Sequence, residues 1–182
     1  MIRRTFLFMA IRGAALVRSA AVVGSPRHLV PADDDYEDGE AQERLIVALS
    51  AAKISLQQAL TASEQEGEPI SARFDIDGGK LLLTVCTTRN ERFLEVTVDY
   101  TTGKVAQVKQ TSGDRNLIAA RLQRAAMAKA KISLKEAVDR ALSLAAGFRA
   151  VSVTPGLEAG HPAAWMLLLN GEEFKTVKQS ME

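Results

Sequence analysis

The residues that most often carry out chemistry in proteins are few in this chain and lie far apart. It has two histidines, His28 and His161, at opposite ends of the sequence. Neither belongs to an HExxH motif or to another pattern with the spacing of metal ligands. We therefore predict no metal site, and we expect His161 to lie in the loop formed by "EAGHPAAW".

The remaining nucleophilic and phosphate-binding candidates also lack their usual surroundings. Cys86 is the single cysteine and lies in "LLLTVCTT" without a neighbouring base, so we expect a buried strand residue. The serines form no G-x-S-x-G elbow, and Gly103-Lys104 lacks the preceding glycine of a phosphate loop. Trp165 begins an apolar stretch and is expected in the core. The sequence predicts no catalytic residue and no cofactor, and we expect that the protein is not an enzyme.

An acidic stretch, "PADDDYEDG", contains carboxylates at the spacing of a calcium loop. Such a loop also needs glycine at its sixth position and glutamate at its twelfth. Counted from the first aspartate, these positions hold Asp38 and Arg44, so the pattern fails. We predict that residues 31–40 are a solvated acidic linker, and that "DIDGG" at 75–79 is a hairpin turn.

The first 30 residues form a basic leader. Residues 1–32 contain no acid and five arginines, which are Arg3, Arg4, Arg12, Arg18 and Arg27. Charge, then apolar residues, then an A-x-A-like site at 19–21 is typical of an export signal, and "RRTFL" resembles a twin-arginine signal. Arg12 and Arg18 interrupt the apolar segment, so a transit peptide or a start codon placed too far upstream are alternatives. The prediction is a periplasmic or secreted protein, or a cytoplasmic one if the start codon is misassigned.

Charge and hydropathy argue against nucleic-acid binding and against a transmembrane span. Outside the leader, 23 − 5 = 18 basic residues face 22 acidic ones, a net charge of −4, and basic and acidic residues are interspersed. A mildly acidic body does not attract phosphate backbones, so we expect no nucleic-acid binding. No apolar run approaches the roughly 20 residues needed to span a bilayer, so we expect no transmembrane span.

An internal repeat organises the rest of the chain. "KISLQQAL" at 53–60 recurs as "KISLKEAV" at 131–138, and each copy follows an alanine-rich stretch with the composition of a helix. Ser55 and Ser133 are placed to cap the helices that follow, and the isoleucine before each cap can pack against the helix that it caps.

Alternating apolar and polar residues follow each of these helices and predict strands. The first copy has four candidate strands, at 69–77, 81–87, 92–100 and 105–109. The second copy has three, at 148–153, 164–170 and 174–179. The predicted fold class is therefore α+β, with two tandem units at 41–112 and 113–182, each a helix packed on an antiparallel meander.

The motifs of the first copy resemble the PepSY domain family. That family has an I-S-x-x-x-A motif early in a helix, matched by Ile54, Ser55 and Ala59. Its last hairpin has the outline V-D-x-x-T-G-K-V, which is matched here by Val98, Asp99, Thr102, Gly103, Lys104 and Val105. The resemblance covers residues 53–108 well and residues 131–179 partially, since the second copy lacks the hairpin motif.

The resemblance implies an α+β domain found mostly in exported or membrane-attached bacterial proteins. Members occur in propeptides of thermolysin-type metallopeptidases, where an inhibitory role is proposed, and as free-standing periplasmic proteins. It implies a non-catalytic interaction module of the cell envelope, with a peptidase or another envelope protein as partner. The alternative is a small-ligand-binding or sensory protein that uses the groove between helix and sheet. The oligomeric state is left open.

Overall fold

The computed structural model describes residues 34–182, with side chains from Gly39 onward. The predicted leader, residues 1–30, lies outside the described residues. Residues 34–40 of the predicted acidic linker are helical. The helices are α1 Asp34–Leu49, α2 Leu56–Ser63, α3 Asp114–Met127 and α4 Leu134–Ser143, with a 3-10 turn at Glu64–Glu66. The strands are β1 Glu68–Asp77, β2 Lys80–Arg89, β3 Arg92–Val98, β4 Val105–Gln110, β5 Arg149–Glu158, β6 His161–Asn170 and β7 Glu173–Ser180.

The seven strands form one antiparallel sheet in the order β4-β3-β2-β1-β5-β6-β7. The predicted α+β fold class is confirmed, with four strands after the first repeated motif and three after the second. The two groups of strands meet where β1 pairs with β5, with Ala72 opposite Val153 and Arg73 opposite Ser152. Because the sheet is continuous, the division into two separate units stays a prediction.

One face of the sheet is apolar and forms the core with the helices. A single row of paired residues crosses all seven strands on this face: Val108, Val96, Val85, Ala72, Val153, Met166 and Val177. The five central members of the row are at most 2% exposed. Side chains of α2 and α4 belong to the same buried cluster, and Gln57 Nε2 of α2 donates to Asp139 Oδ1 of α4 at 3.3 Å. We call this the apolar face.

The capping predictions are confirmed at both repeated motifs. The Ser55 hydroxyl accepts a hydrogen bond from the Gln58 amide, and the Gln58 side chain accepts one from the Ser55 amide at 2.8 Å, which completes a capping box. The Ser133 hydroxyl accepts from the Glu136 amide at 3.1 Å. Each bond satisfies an amide of the first helical turn that has no partner within the helix.

The alanine-rich stretches before the motifs form the C-terminal parts of α1 and α3. Their last residues, Leu49 and Met127, are both buried. The Leu49 carbonyl accepts a hydrogen bond from the Arg149 guanidinium at 3.1 Å, and the same guanidinium lies 5.3 Å from the centre of the Phe74 ring. Arg149 of β5, which follows the second motif, therefore contacts both α1 and β1, which lie before and after the first motif. No helix within residues 34–182 combines the length and the apolar character needed to cross a membrane.

Candidate interaction face

The two parts of the predicted family motif lie far apart in sequence but meet in the structure. The Tyr100 carbonyl, just after β3, accepts hydrogen bonds from the Lys53 and Ile54 amides at 2.9 and 3.2 Å. A methyl group placed on Gly103 would lie 3.6 Å from Ile54 Cγ2. The hairpin between β3 and β4 therefore packs on the chain just before the cap of α2. This arrangement gives the motif residues a structural role.

Asp99 organises this hairpin. Its Oδ1 atom accepts hydrogen bonds from the Thr101 amide at 2.8 Å, the Thr101 hydroxyl at 2.6 Å and the Thr102 amide at 2.9 Å. The Gly103 amide donates to the Asp99 carbonyl at 2.8 Å, and Gly103 has a φ of +75°. That left-handed conformation is the reason for glycine at this position. Lys104 and Val105 are exposed on the far side of the turn.

The Asp99 bonds predict a contribution to stability that depends on pH. Hydrogen bonds from Thr101 and Thr102 lower the pKa of Asp99 from 3.8 to about 2. The contribution is therefore present above the ordinary pKa of 3.8 and is lost as the pH falls from there towards 2. We expect Asp99→Asn to lose stability at neutral pH and to flatten the acid limb of the stability curve. Chemical denaturation between pH 2 and 5 measures both effects, and an unchanged acid limb would contradict the assignment.

The face opposite the apolar face is mostly polar, and its buried residues, such as Phe93, Ala163 and Leu169, lie towards the ends of the strands. A second row of paired residues crosses all seven strands there: Gln107, Thr97, Thr84, Arg73, Ser152, Leu167 and Thr176. Every member of this row is partly or fully exposed. Seven strands, each occupying about 4.8 Å, make this face roughly 34 Å wide. We call the face that carries this row the polar face.

Trp165 also lies on the polar face, in the row of paired residues adjacent to the row that contains Leu167. It is paired with Thr154 on one side and Lys178 on the other, and it is half-buried. Its ring lies on the backbone of β5, since a methyl group on Gly156 would come within 2.9 Å of Trp165 Cζ3. The prediction that Trp165 packs in the core is therefore wrong. Its neighbours Ala164 and Met166 point into the core, so the alternation of the strand directs Trp165 to the other face.

The charges of the polar face are neutralised locally. Arg73 Nε lies 3.6 Å from Asp75 Oδ2, and Lys178 Nζ lies 2.6 Å from Glu158 Oε2. Glu95 and Lys109 are paired across β3 and β4. A face with interspersed charges does not generate the single-sign field that attracts nucleic acid or an anionic membrane. It suits a partner that is recognised by shape and by local hydrogen bonds.

The remaining candidates from the sequence do not assemble into a chemical site. Burial raises the pKa of the Cys86 thiol to about 11, so the thiol is protonated and weakly reactive at neutral pH. His161 is the first residue of β6, not part of a loop, and its Nδ1 lies 2.7 Å from Glu182 Oε1. Among the described residues, no group of three or more histidines, cysteines and carboxylates is placed to hold a metal ion.

A cleft of about 280 Å³ lies near the end of α2 and the start of α4. Its lining is mostly apolar and includes Leu60, Pro69, Met127 and Ile132. Binding pockets for small molecules usually have volumes of about 300–1,000 Å³. This cleft is therefore at or below the lower limit for a ligand site.

Comparison of the chain with protein-family models, with curated proteins and with solved structures finds no match. The resemblance to PepSY domains therefore rests on the motif residues alone. The alternating residues predicted the strands but not the polar row, because the alternation within one strand does not show which strand lies beside it. The alternating patterns of all seven strands, combined with the strand order, would have identified the row.

Proposed function

We propose that the protein is a non-catalytic interaction module that binds another folded protein on its polar face. The observation that carries the proposal is the row of seven paired residues in which no member is buried. The face is roughly 34 Å wide across the strands and about 20 Å long over three rows of residues. Its area is therefore on the order of 700 Å². Standard protein interfaces bury about 800 Å² on each partner, so the polar face has the size of one interface.

The residue types on this face also favour a protein partner. Trp165 and Leu167 offer apolar surface in the half of the face formed by β5, β6 and β7. Threonines surround them, and the nearby charges are paired. A partly buried aromatic residue with a polar rim is the usual arrangement of an interface hot spot. Trp165 is the residue that we expect to contribute most to binding.

The small-ligand alternative is ranked lower because the space between the helices and the sheet is filled. Leu56, Leu60, Leu134 and Val138 are at most 2% exposed and occupy the position that a groove would need. The cleft beside Met127 is small. A ligand site would therefore require the core to open.

We propose a peptidase of the cell envelope as the partner class. Support for the class comes from the motifs Ile54-Ser55-x-x-x-Ala59 and Val98-Asp99-x-x-Thr102-Gly103-Lys104-Val105, which resemble the PepSY family, and from the export-like leader. In this proposal the protein restrains the peptidase by occupying part of its surface and needs no catalytic group of its own. The expected location is the periplasm or the cell exterior.

An inhibition assay tests the proposal. The full chain, in micromolar excess, is mixed with a panel of thermolysin-type and envelope peptidases, and the residual activity is measured. We expect at least one enzyme to be inhibited, with a change in Trp165 fluorescence on binding, because Trp165 is the single tryptophan of the chain. We expect Thr154→Arg, at an exposed site on the polar face, to weaken inhibition by about tenfold or more.

The matched control is Leu144→Arg, which adds the same charge at a residue that is 85% exposed, just after α4. This variant should inhibit as well as the wild type. The partner class is wrong if no peptidase is inhibited and none is recovered from an envelope extract on the immobilised full chain. The polar face is wrong as the binding surface if Thr154→Arg inhibits like the control.

A further inference from the structure

Among residues 34–182, no strand pairs with the outer side of β4, which is the edge of the sheet and is exposed along its whole length. All six of its residues are exposed, including Val105 at 36% and Val108 at 39%. Val108 continues the apolar row, but at this edge its side chain is left in contact with solvent. Exposed edge strands with apolar side chains are templates for pairing with another strand.

The hydrogen-bonding groups of β4 that face away from the sheet can be assigned. The Thr111 amide donates to the Phe93 carbonyl at 2.9 Å, and Thr111 follows β4 directly. In an antiparallel pair the residues that bond to the neighbouring strand alternate with residues whose backbone groups point away. Gln107 and Lys109 therefore bond to β3, and within the described residues the backbone groups of Val108 and Gln110 point away from the sheet. The alternation ends at a β-bulge at Ala106, where the register with β3 shifts.

The outward backbone groups of Val108 are self-complementary. When two copies of β4 are placed antiparallel with Val108 opposite the second copy's Val108, the outward amide and carbonyl of each Val108 bond to those of the other. Gln110 then faces the second copy's Ala106 at the bulge. Lys109 then faces the second copy's Gln107, and no like charges are opposed. Valine faces valine on the apolar side. A register that placed Lys109 opposite itself would oppose two positive charges.

The other edge of the sheet does not share these properties. β7 carries Lys175 and Lys178, both exposed, in eight residues, and Val177 is partly buried. Lysines on an edge strand are a common means of preventing pairing. The same lysines disfavour pairing of β4 in one copy with β7 in another, because Lys109 would then lie near the lysines of β7. Such head-to-tail pairing would also add copies without forming a closed assembly.

We propose that two copies of the protein pair through β4 as a two-fold symmetric dimer, which joins their sheets into one of fourteen strands. Residues opposite each other in such a pair share a face, so the two apolar rows become continuous through the Val108 pair. The two polar faces lie on the same side of the joined sheet. This inference rests on the edge strand and is independent of the proposed peptidase partner.

The mass of the full chain in solution tests the dimer. Light scattering coupled to gel filtration, at protein concentrations up to about 100 micromolar, is expected to show a dimer whose dissociation constant lies in the micromolar range. Val108→Lys would place two lysines opposite each other and is expected to raise the dissociation constant at least tenfold. Val177→Lys is the matched control, because Val177 lies in the same row at the other edge, and it should stay dimeric.

A cross-linking experiment locates the contact without weakening it. Directly paired residues of this type have Cα atoms about 5.5 Å apart, within the range that a disulfide can bridge. Val108→Cys should therefore form a disulfide-linked dimer under mild oxidation, whereas Val177→Cys should not. The proposal is overturned by a wild-type chain that is monomeric throughout the concentration range, by a Val108→Lys variant that remains as dimeric as Val177→Lys, or by equal cross-linking at both positions.

Discussion

Replacing Leu56 or Leu134 with alanine is expected to lower the free energy of unfolding by about 2–5 kcal/mol in each case. The two leucines hold the same position in the two repeated motifs, and they are 0% and 2% exposed. Both belong to one buried cluster that runs through strands on either side of the β1–β5 junction. We therefore expect each substitution to shift a single cooperative unfolding transition, measured by circular dichroism and by Trp165 fluorescence in urea.

Leu144→Ala is the control, since this leucine is 85% exposed and its truncation should change stability by no more than about 0.5 kcal/mol. The informative alternative outcome is a curve with two steps. If Leu56→Ala shifted a transition that Trp165 does not report, the two repeats would unfold independently. The continuous sheet would then not be one cooperative structure.

Replacing Gly67 with alanine is expected to cost about 3–5 kcal/mol. Gly67 connects the 3-10 turn to β1 with a φ of +147° and a ψ of 178°, a conformation that is essentially restricted to glycine. A Cβ atom there would lie 2.7 Å from the Thr88 carbonyl oxygen. The obstacle is backbone within β2, which cannot move without disturbing its pairing with β1 and β3. Chemical denaturation measures the loss.

Gly78→Ala separates the two contributions to this cost. Gly78 also has a positive φ, of +57°, but a methyl group there would have no atom within 4 Å. It should therefore show only the conformational penalty of about 1 kcal/mol. Equal losses at the two glycines would mean that the contact with Thr88 is not the cause.

The elements of the fold were largely predictable because their signals are local. The motif around Ser55 recurs at Ser133, and a hydroxyl at that position caps a helix wherever the rest of the chain lies. Strands were recognisable because alternation reflects a sheet with one buried face. The boundaries differed from the structure by a few residues, mostly where strands continue past their apolar residues into exposed hairpins such as Asp77 to Lys80.

The candidate site was predictable only in part. The outward direction of Arg73 follows from its own strand, but its neighbour Ser152 comes from β5, many residues later. Trp165 was assigned to the core because the stretch around it is almost entirely apolar. Its true position depends on which of two alternating sets meets the helices, and local hydropathy does not distinguish them here.

The sequence by itself determined the elements of the two layers. These are capped helices that recur at a fixed interval, and strands with one apolar face and one polar face. These follow from interactions between residues a few positions apart. Only the tertiary structure decided that β1 pairs with β5, that seven strands share one sheet, and that Gln107 and Thr176 end one continuous polar row. Strand pairing depends on hydrogen bonds and side-chain packing between distant segments, and several pairings satisfy the same alternation. The free energy of the whole core selects among them.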